Sequence, residues 1–418
     1  MNILDYAAYS CEGTDWTRAF ERAIVDLKRQ GGGTLHVPAG LYPTGAIQLY
    51  DDMTLDVEAG AELLFHKEAK SYPLVEMEYE GKKCLMHMPC VFAVGAKRIT
   101  VTGRGTLNGQ GDYWWPRVFD HTLEHPRPHL VAFYRCEDVV LENLHLINSA
   151  VWTVHPLRCK NVVIRGLYIK NPYESPNTDG IDPDSCKDVR ISDCTIDVGD
   201  DCIAIKSGIE TTQDKESSER IIITGCHFLR GHGGVVLGSE MSGGIKNVVV
   251  SSCMFYSTDR GVRLKTRRGR GGTVECIQMN NLIMENVVSP FVFNMYYYVG
   301  REDHMRFAWD KAALPVNNGT PCLKDISISG VRASGCTSCA GFFYGLPEMP
   351  IDGLTLSNVV IEMGDGYIED PGMMNDCPKL VKSGFFMRNV KRFASHGVKV
   401  MNAMGKTLDA DESVKTEI

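Results

Sequence analysis

The sequence predicts an all-β chain wound as a right-handed parallel β-helix, a solenoid with a capping helix at its N-terminal end. An internal repeat with strand periodicity carries that prediction, together with two columns of small apolar residues that the repeat brings into register. Segments of a charged residue, alternating apolar positions and a small or polar turn begin at Glu137, Lys160, Lys187, Glu219, Lys246, Glu275, Lys324 and Asp352. The alternation has a period of two and favours β-branched residues, which reads as short strands separated by turns. The units lack the second helix of helical repeat arrays, so each is expected to form one turn of a coil whose strands pair with the turns above and below. The right hand follows from the preference of parallel crossovers.

Aligning the units tests the coil further. One residue before each start stand Cys136, Cys159, Cys186, Ser218, Ile245, Val274, Leu323 and Ile351; seven residues after it stand Leu144, Leu167, Cys194, Cys226, Cys253, Leu282, Val331 and Val359. Both columns suit inward-facing positions, and six of the 15 cysteines become core residues, a role that free thiols fill well. Cys336 and Cys339 form a Cys-x-x-Cys pair without further ligands nearby, so no metal site is expected there. At the N-terminal end, Trp16, Phe20, Ile24 and Leu27 follow a helical period across residues 14–30, with Thr14 or Asp15 as cap and Gly31-Gly32-Gly33 as stop. This helix is expected to lid the open coil. Residues 405–418 are polar and are expected to be a flexible tail, the rest of 1–418 forming a single domain.

A net charge of −8 argues against a nucleic-acid binder. No run of about 18 apolar residues is present to span a membrane. The start, Met1-Asn2-Ile3-Leu4-Asp5-Tyr6, carries no basic region followed by an apolar stretch, so a cytoplasmic location is expected. Thiol-rich core columns point to a reducing compartment in the same way. Oligomeric state is not legible.

Chemistry concentrates between residues 177 and 265: Asn177-Thr178-Asp179-Gly180, Gly199-Asp200-Asp201, Gly231-His232-Gly233 and Arg263-Leu264-Lys265. These fall on successive units, so Asp179 should lie one coil from the Asp200–Asp201 pair, with backbones about 4.8 Å apart. Arg263 and Lys265 are two apart and share a face of an extended segment. Asp200 and Asp201 would point oppositely in a regular strand; both can serve one site only if the chain bends, which Gly199 makes easy. Carboxylates so close repel, which favours one protonated and one ionised group, as acid–base cleavage of a glycosidic bond requires. The neighbouring cations suit an acidic sugar, and the basic run Arg260, Arg263, Lys265, Arg267, Arg268 and Arg270 reads as attraction for an anionic substrate. Asp193 and Asp197 read as ordinary turn aspartates.

The four signatures, in this order, resemble the polygalacturonase family of glycoside hydrolases, family 28, and its bacterial exo-acting members in particular. Gly31-Gly32-Gly33-Thr34-Leu35-His36-Val37-Pro38-Ala39-Gly40 and the stretch Thr100 to Gly111 resemble its opening turns, so the likeness covers nearly the whole chain. The resemblance implies inverting hydrolysis of α-1,4-linked galacturonate without cofactor or metal. It makes Asp200 the general acid, Asp179 and Asp201 the residues that activate water, and His232 a support for the acid's protonation state. Asn177, Arg263 and Lys265 would bind substrate, with Tyr296 the best match for an expected tyrosine beside Tyr297 and Tyr298. Trp152 and His155 resemble residues near the substrate cleft. Inverting enzymes hold their carboxyls roughly 6.5–9.5 Å apart, wider than adjacent turns suggest. A calcium-dependent lyase of pectate-lyase type, a rhamnogalacturonan hydrolase and a non-catalytic glycan-binding coil are the alternatives.

Overall fold

The computed structural model describes residues 1–11, 13–298, 303–366 and 370–416. The chain comprises two compact units, Met1–Asp200 and Asp201–Ile418. Each is a coil of short parallel strands.

The first unit begins with the expected helix, Thr17–Arg29, which buries Ala19, Phe20, Ala23, Ile24 and Leu27. Asp15 accepts the Thr17 N–H at 2.9 Å, a capping contact made from one position outside the helix. The coil then stacks Gly33–Val37, Met53–Val57, Lys97–Gly103, Glu137–Glu142, Lys160–Arg165 and Lys187–Ser192 in parallel. A second stack runs through Gly40–Thr44, Ala61–Phe65, Thr106–Asn108, His145–Ile147, Tyr168–Lys170 and Thr195–Asp197. A third contains Ile47–Leu49, Val91–Val94, Val131–Tyr134 and Val154–Leu157. One departure interrupts the coil: Leu74–Tyr79 and Lys82–His87 form an antiparallel hairpin. Its Met77 and Met86 pack on Phe92 and Ala132, and its buried Glu78 pairs with Arg158 at 3.1 Å.

In the second unit Ser218–Thr224, Ile245–Ser251, Thr273–Glu285, Cys322–Cys336 and Ile351–Met363 stack in parallel. Another wall runs Ile203–Ile205, Val235–Gly238, Arg260–Lys265, Ser289–Asn294, Cys339–Tyr344 and Ser383–Arg388. The expected flexible tail is not what forms. Leu408–Ala410 pairs with Ser383–Arg388, and Val414–Thr416 with Val390–His396, because the last strands would otherwise present unpaired backbone edges. Residues 417 and 418 lie outside the described residues.

The repeat alignment is the register of the fold. Glu137, Lys160 and Lys187 are direct partners, as are Glu219, Lys246, Glu275, Lys324 and Asp352. Every residue of both predicted columns is buried. In the first unit the Cys136 and Cys159 N–H groups point at the sulfurs of Cys159 and Cys186, at 3.4 and 3.3 Å. Burial pushes the Cys159 thiol well above its usual value. The residue after each start is left-handed: Asp138, Asn161, Asp188, Arg220, Asn247, Cys276 and Asp325 all have φ between 54° and 61°. Asn and Asp tolerate that conformation best, which explains their frequency there. Asp193, at φ 56°, is such a turn residue. No helix among the described residues is long and apolar enough to cross a membrane.

Candidate active site

In the first unit, Asn177-Thr178-Asp179 occupies a turn clamped from within. The Thr178 hydroxyl meets the Ser175 hydroxyl at 2.5 Å and the Ser175 carbonyl at 3.1 Å, and accepts the Gly199 N–H at 3.3 Å. That last bond ties the turn to the residue preceding Asp200. Glycine is required at 199 by crowding rather than by a left-handed backbone: a Cβ there would stand 2.4 Å from the Ser175 carbonyl and 2.6 Å from that of Pro172. Asp179 is buried and Asp200 half-buried, with carboxylate oxygens within 4.8 Å of each other.

Asp201 opens the second unit and is fully buried. Lys265 donates to its Oδ2 at 2.6 Å, and Arg263 Nη1 stands 3.7 Å from its Oδ1. The two cations share one face of Arg260–Lys265 as their spacing predicts, opposite Val236 and Gly238 of the preceding turn. Burial alone would lower the Lys265 ammonium; the Asp201 and Tyr297 charges outweigh it and leave the pKa raised. Arg263 is 3% exposed, yet its Nη2 has no hydrogen-bond partner among the described residues. His232 is half-buried in the loop before Val235–Gly238. Its neighbours are glycines because the loop is crowded: a Cβ on Gly233 would sit 3.1 Å from Asp201 Oδ1, and one on Gly234 2.3 Å from the Phe255 ring.

Several expectations change. Tyr296 is fully buried, with Lys311 Nζ 3.7 Å from its ring centroid. Its neighbour Tyr297, half-buried, is the tyrosine beside the cations, its centroid 5.3 Å from both Arg263 and Lys265. Trp152 and His155 lie beneath the surface, packed edge-to-face with centroids 4.9 Å apart. Trp152 also packs against Tyr79 and His129. The basic run is mostly structural. Arg260 holds the Asp370 and Pro371 carbonyls; Arg267 and Arg270 grip Glu210; Arg268 forks onto Glu348 and also holds the carbonyls of Phe307 and Ala312. Residues that the sequence reading passed over include Arg127, which reaches Asn177, and Lys206, whose charge acts on Lys265.

Asp179 and Asp200 could share a cation, and so could His36, Asp56 and Glu58 on the first unit's surface. A hard ion such as calcium takes six to eight oxygens. Asp201 already carries an ammonium at 2.6 Å, which disfavours it as a ligand. The Asp179–Asp200 pair suits proton transfer between a carboxyl and water.

Residues 34–376 match the model of glycosyl hydrolases family 28, and the chain belongs to that family. A probable polygalacturonase of Vitis vinifera is 32% identical over 390 residues, 87% of this chain and 77% of that one. A probable polygalacturonase of Arabidopsis thaliana is 35% identical over 326 residues, 73% of this chain and 63% of its own length. Among solved structures, the hyperthermoactive exopolygalacturonase of Thermotoga maritima is 29% identical, with a TM-score of 0.77 over 95% of this chain and 91% of that one. The family 28 exopolygalacturonase of Yersinia enterocolitica shares the fold at 20% identity, with a TM-score of 0.80 over 99% and 77% of the two chains. The fold is thus the right-handed parallel β-helix expected from the repeat.

Proposed function

We propose that the protein cleaves α-1,4-galacturonosidic bonds of oligogalacturonides from a chain end, with inversion. The buried Arg263 guanidinium carries this reading: a charge taken out of water with a donor left over is a ready partner for a substrate carboxylate. Polygalacturonase relatives and an exo-acting structural neighbour support the substrate and the mode of attack. Asp200 gives its proton to the glycosidic oxygen as the bond from C1 breaks. A water loses a proton to Asp179 or Asp201 as its oxygen bonds to C1 from the other face. His232 supports the protonation of Asp200, Lys265 and Arg263 hold the galacturonate carboxylate, and Tyr297 takes the place expected of Tyr296. Trp152 and His155 act from below, as support for the wall.

Incubation with defined galacturonate oligomers in chelator tests the reading. Monomer release by the wild type and not by Asp200→Asn is expected. Unsaturated products absorbing in the ultraviolet that form with added calcium and are lost in chelator would mean a lyase, and an initial α anomer by proton NMR would refute inversion. We also propose a reducing, cytoplasmic setting, supported by the stacking of buried thiols in the core, where the Cys136 and Cys159 N–H groups reach the sulfurs of the next turn. Thiol titration of denatured protein purified from its source without reductant should find the cysteines all free; disulfide-linked peptides would refute it.

A further inference from the structure

Arg127 belongs to none of the signatures, yet it is 4% exposed and turned into the wall that carries Asn177. Nη1 donates to the Ala150 carbonyl at 2.7 Å and to that of Pro176 at 2.8 Å, and Nη2 donates to Asn177 Oδ1 at 2.8 Å. Burial lowers the guanidinium pKa, while the charges of Tyr79, Glu80 and Asp179 and a hydrogen bond with Tyr79 oppose that shift. The turn therefore has a cation beneath it, hydrogen-bonded on both sides of the peptide between Pro176 and Asn177. Asn177 itself is left-handed at φ 55° and half-buried, so part of its side chain faces outward.

A guanidinium can only donate. The amide oxygen of Asn177 must therefore face Arg127, and the amide nitrogen must face the other way. We infer that Arg127 is a positioning residue that fixes the Asn177 amide, so that Asn177 offers its Nδ2 donor, not its Oδ1 acceptor, to an acceptor oxygen of the acidic sugar. The inference rests on the galacturonide reading of this site. Without Arg127 the amide is free to turn over and to settle with its oxygen, an acceptor, toward an anionic ligand. With Asn177→Asp, the group facing Arg127 is unchanged in kind, but the outward group becomes an oxygen.

Steady-state kinetics on trigalacturonate with a double-mutant cycle tests this. Arg127→Met and Asn177→Ala are each expected to raise KM about 10-fold or more, the worth of a charge-fixed hydrogen bond, with kcat within about 3-fold. The double variant should be no worse than Asn177→Ala alone, because the effect of Arg127 passes through Asn177. Asn177→Asp, which leaves Arg127 its partner, should melt at or above the wild-type temperature while KM rises by at least about 10-fold; this arm stands even where Arg127→Met does not fold. Guanidinium added to Arg127→Ala should restore part of the lost KM. Multiplying losses in the cycle, or wild-type KM for Asn177→Asp, would overturn the inference. If the wild type releases no galacturonate, the substrate reading fails. The Arg127–Asn177 link is then read from melting midpoints, where additive losses overturn it and a double variant no less stable than Arg127→Met supports it.

Discussion

Lys265→Met removes the ammonium from a pair that has almost no water around it. The Nζ–Oδ2 distance is 2.6 Å, and the side chains of Lys265 and Asp201 are 9% and 1% exposed. At an effective dielectric constant of about 20, that separation corresponds to about 6 kcal/mol of gross attraction, much of it offset by desolvation of both ions. Breaking such a pair from one side costs about 3–5 kcal/mol, since a buried carboxylate is left behind. Arg263, 3.7 Å from the other oxygen, takes up part of that charge, so about 3 kcal/mol is expected. Equilibrium unfolding in urea reads it directly. Asp201→Asn on top of Lys265→Met leaves Arg263 as the stranded buried charge in place of the carboxylate, so the lost stability should not return. The pH dependence has a definite sign. The folded Lys265 value is raised above the unfolded one, so its contribution is fully present below the unfolded value of about 10.4 and fades as pH climbs through the higher folded value. The gap between wild type and Lys265→Met should therefore hold from pH 7 to 10 and close only in stronger alkali. A Lys265→Met variant as stable as the wild type, or a double variant that regains wild-type stability, would refute the reasoning.

Phe20→Ala in the capping helix, a fully buried ring, should cost about 3–5 kcal/mol in urea unfolding without altering the chemistry of the site. Tyr297→Ala should raise KM about 3- to 30-fold through lost cation–π contact with Arg263 and Lys265, while the same change at buried Tyr296 should show first as lost stability. Burial would raise the Glu210 carboxyl, but Arg270 and Arg267 outweigh it and bring its pKa to about 2. Its contribution is thus present above the ordinary carboxylate range and lost as pH falls toward 2. Glu210→Gln should cost about 1 kcal/mol at pH 7, discounted for a side chain 34% exposed, and nothing near pH 2 by thermal melts.

The coil was legible because its physics is periodic. A start every turn, alternation within it and a left-handed residue after it are properties of single positions that the sequence displays, and the paired starts appear as direct strand partners. The hairpin at 74–87 carried its own local signal, Glu80-Gly81 between alternating strands, with φ values of 49° and 73° that suit a two-residue turn. It obeys the rule of a hairpin, not of the repeat, so the repeat's period does not reveal it. The choice between Tyr296 and Tyr297 was not available from periodicity. The strand ends at Asn294, whose side-chain oxygen takes the Tyr296 N–H at 2.8 Å, and beyond that point alternation no longer says which ring faces the cations.

The basic run shows most sharply what a sequence leaves open. Arg263 and Arg268 lie five positions apart, are of the same type and are both buried. Arg268 meets Glu348, 80 residues away in sequence, and its charge is spent inside the fold holding a loop. Arg263 meets Asp201 only at 3.7 Å and keeps a nitrogen without a protein partner among the described residues. Counting charges cannot separate the two, because the difference lies in partners brought up by other turns of the coil. A buried cation is costly unless something answers it. Where the protein supplies the whole answer, as at Arg268, the residue is a staple; at Arg263 the answer is incomplete, and no count of charges along the sequence distinguishes the two.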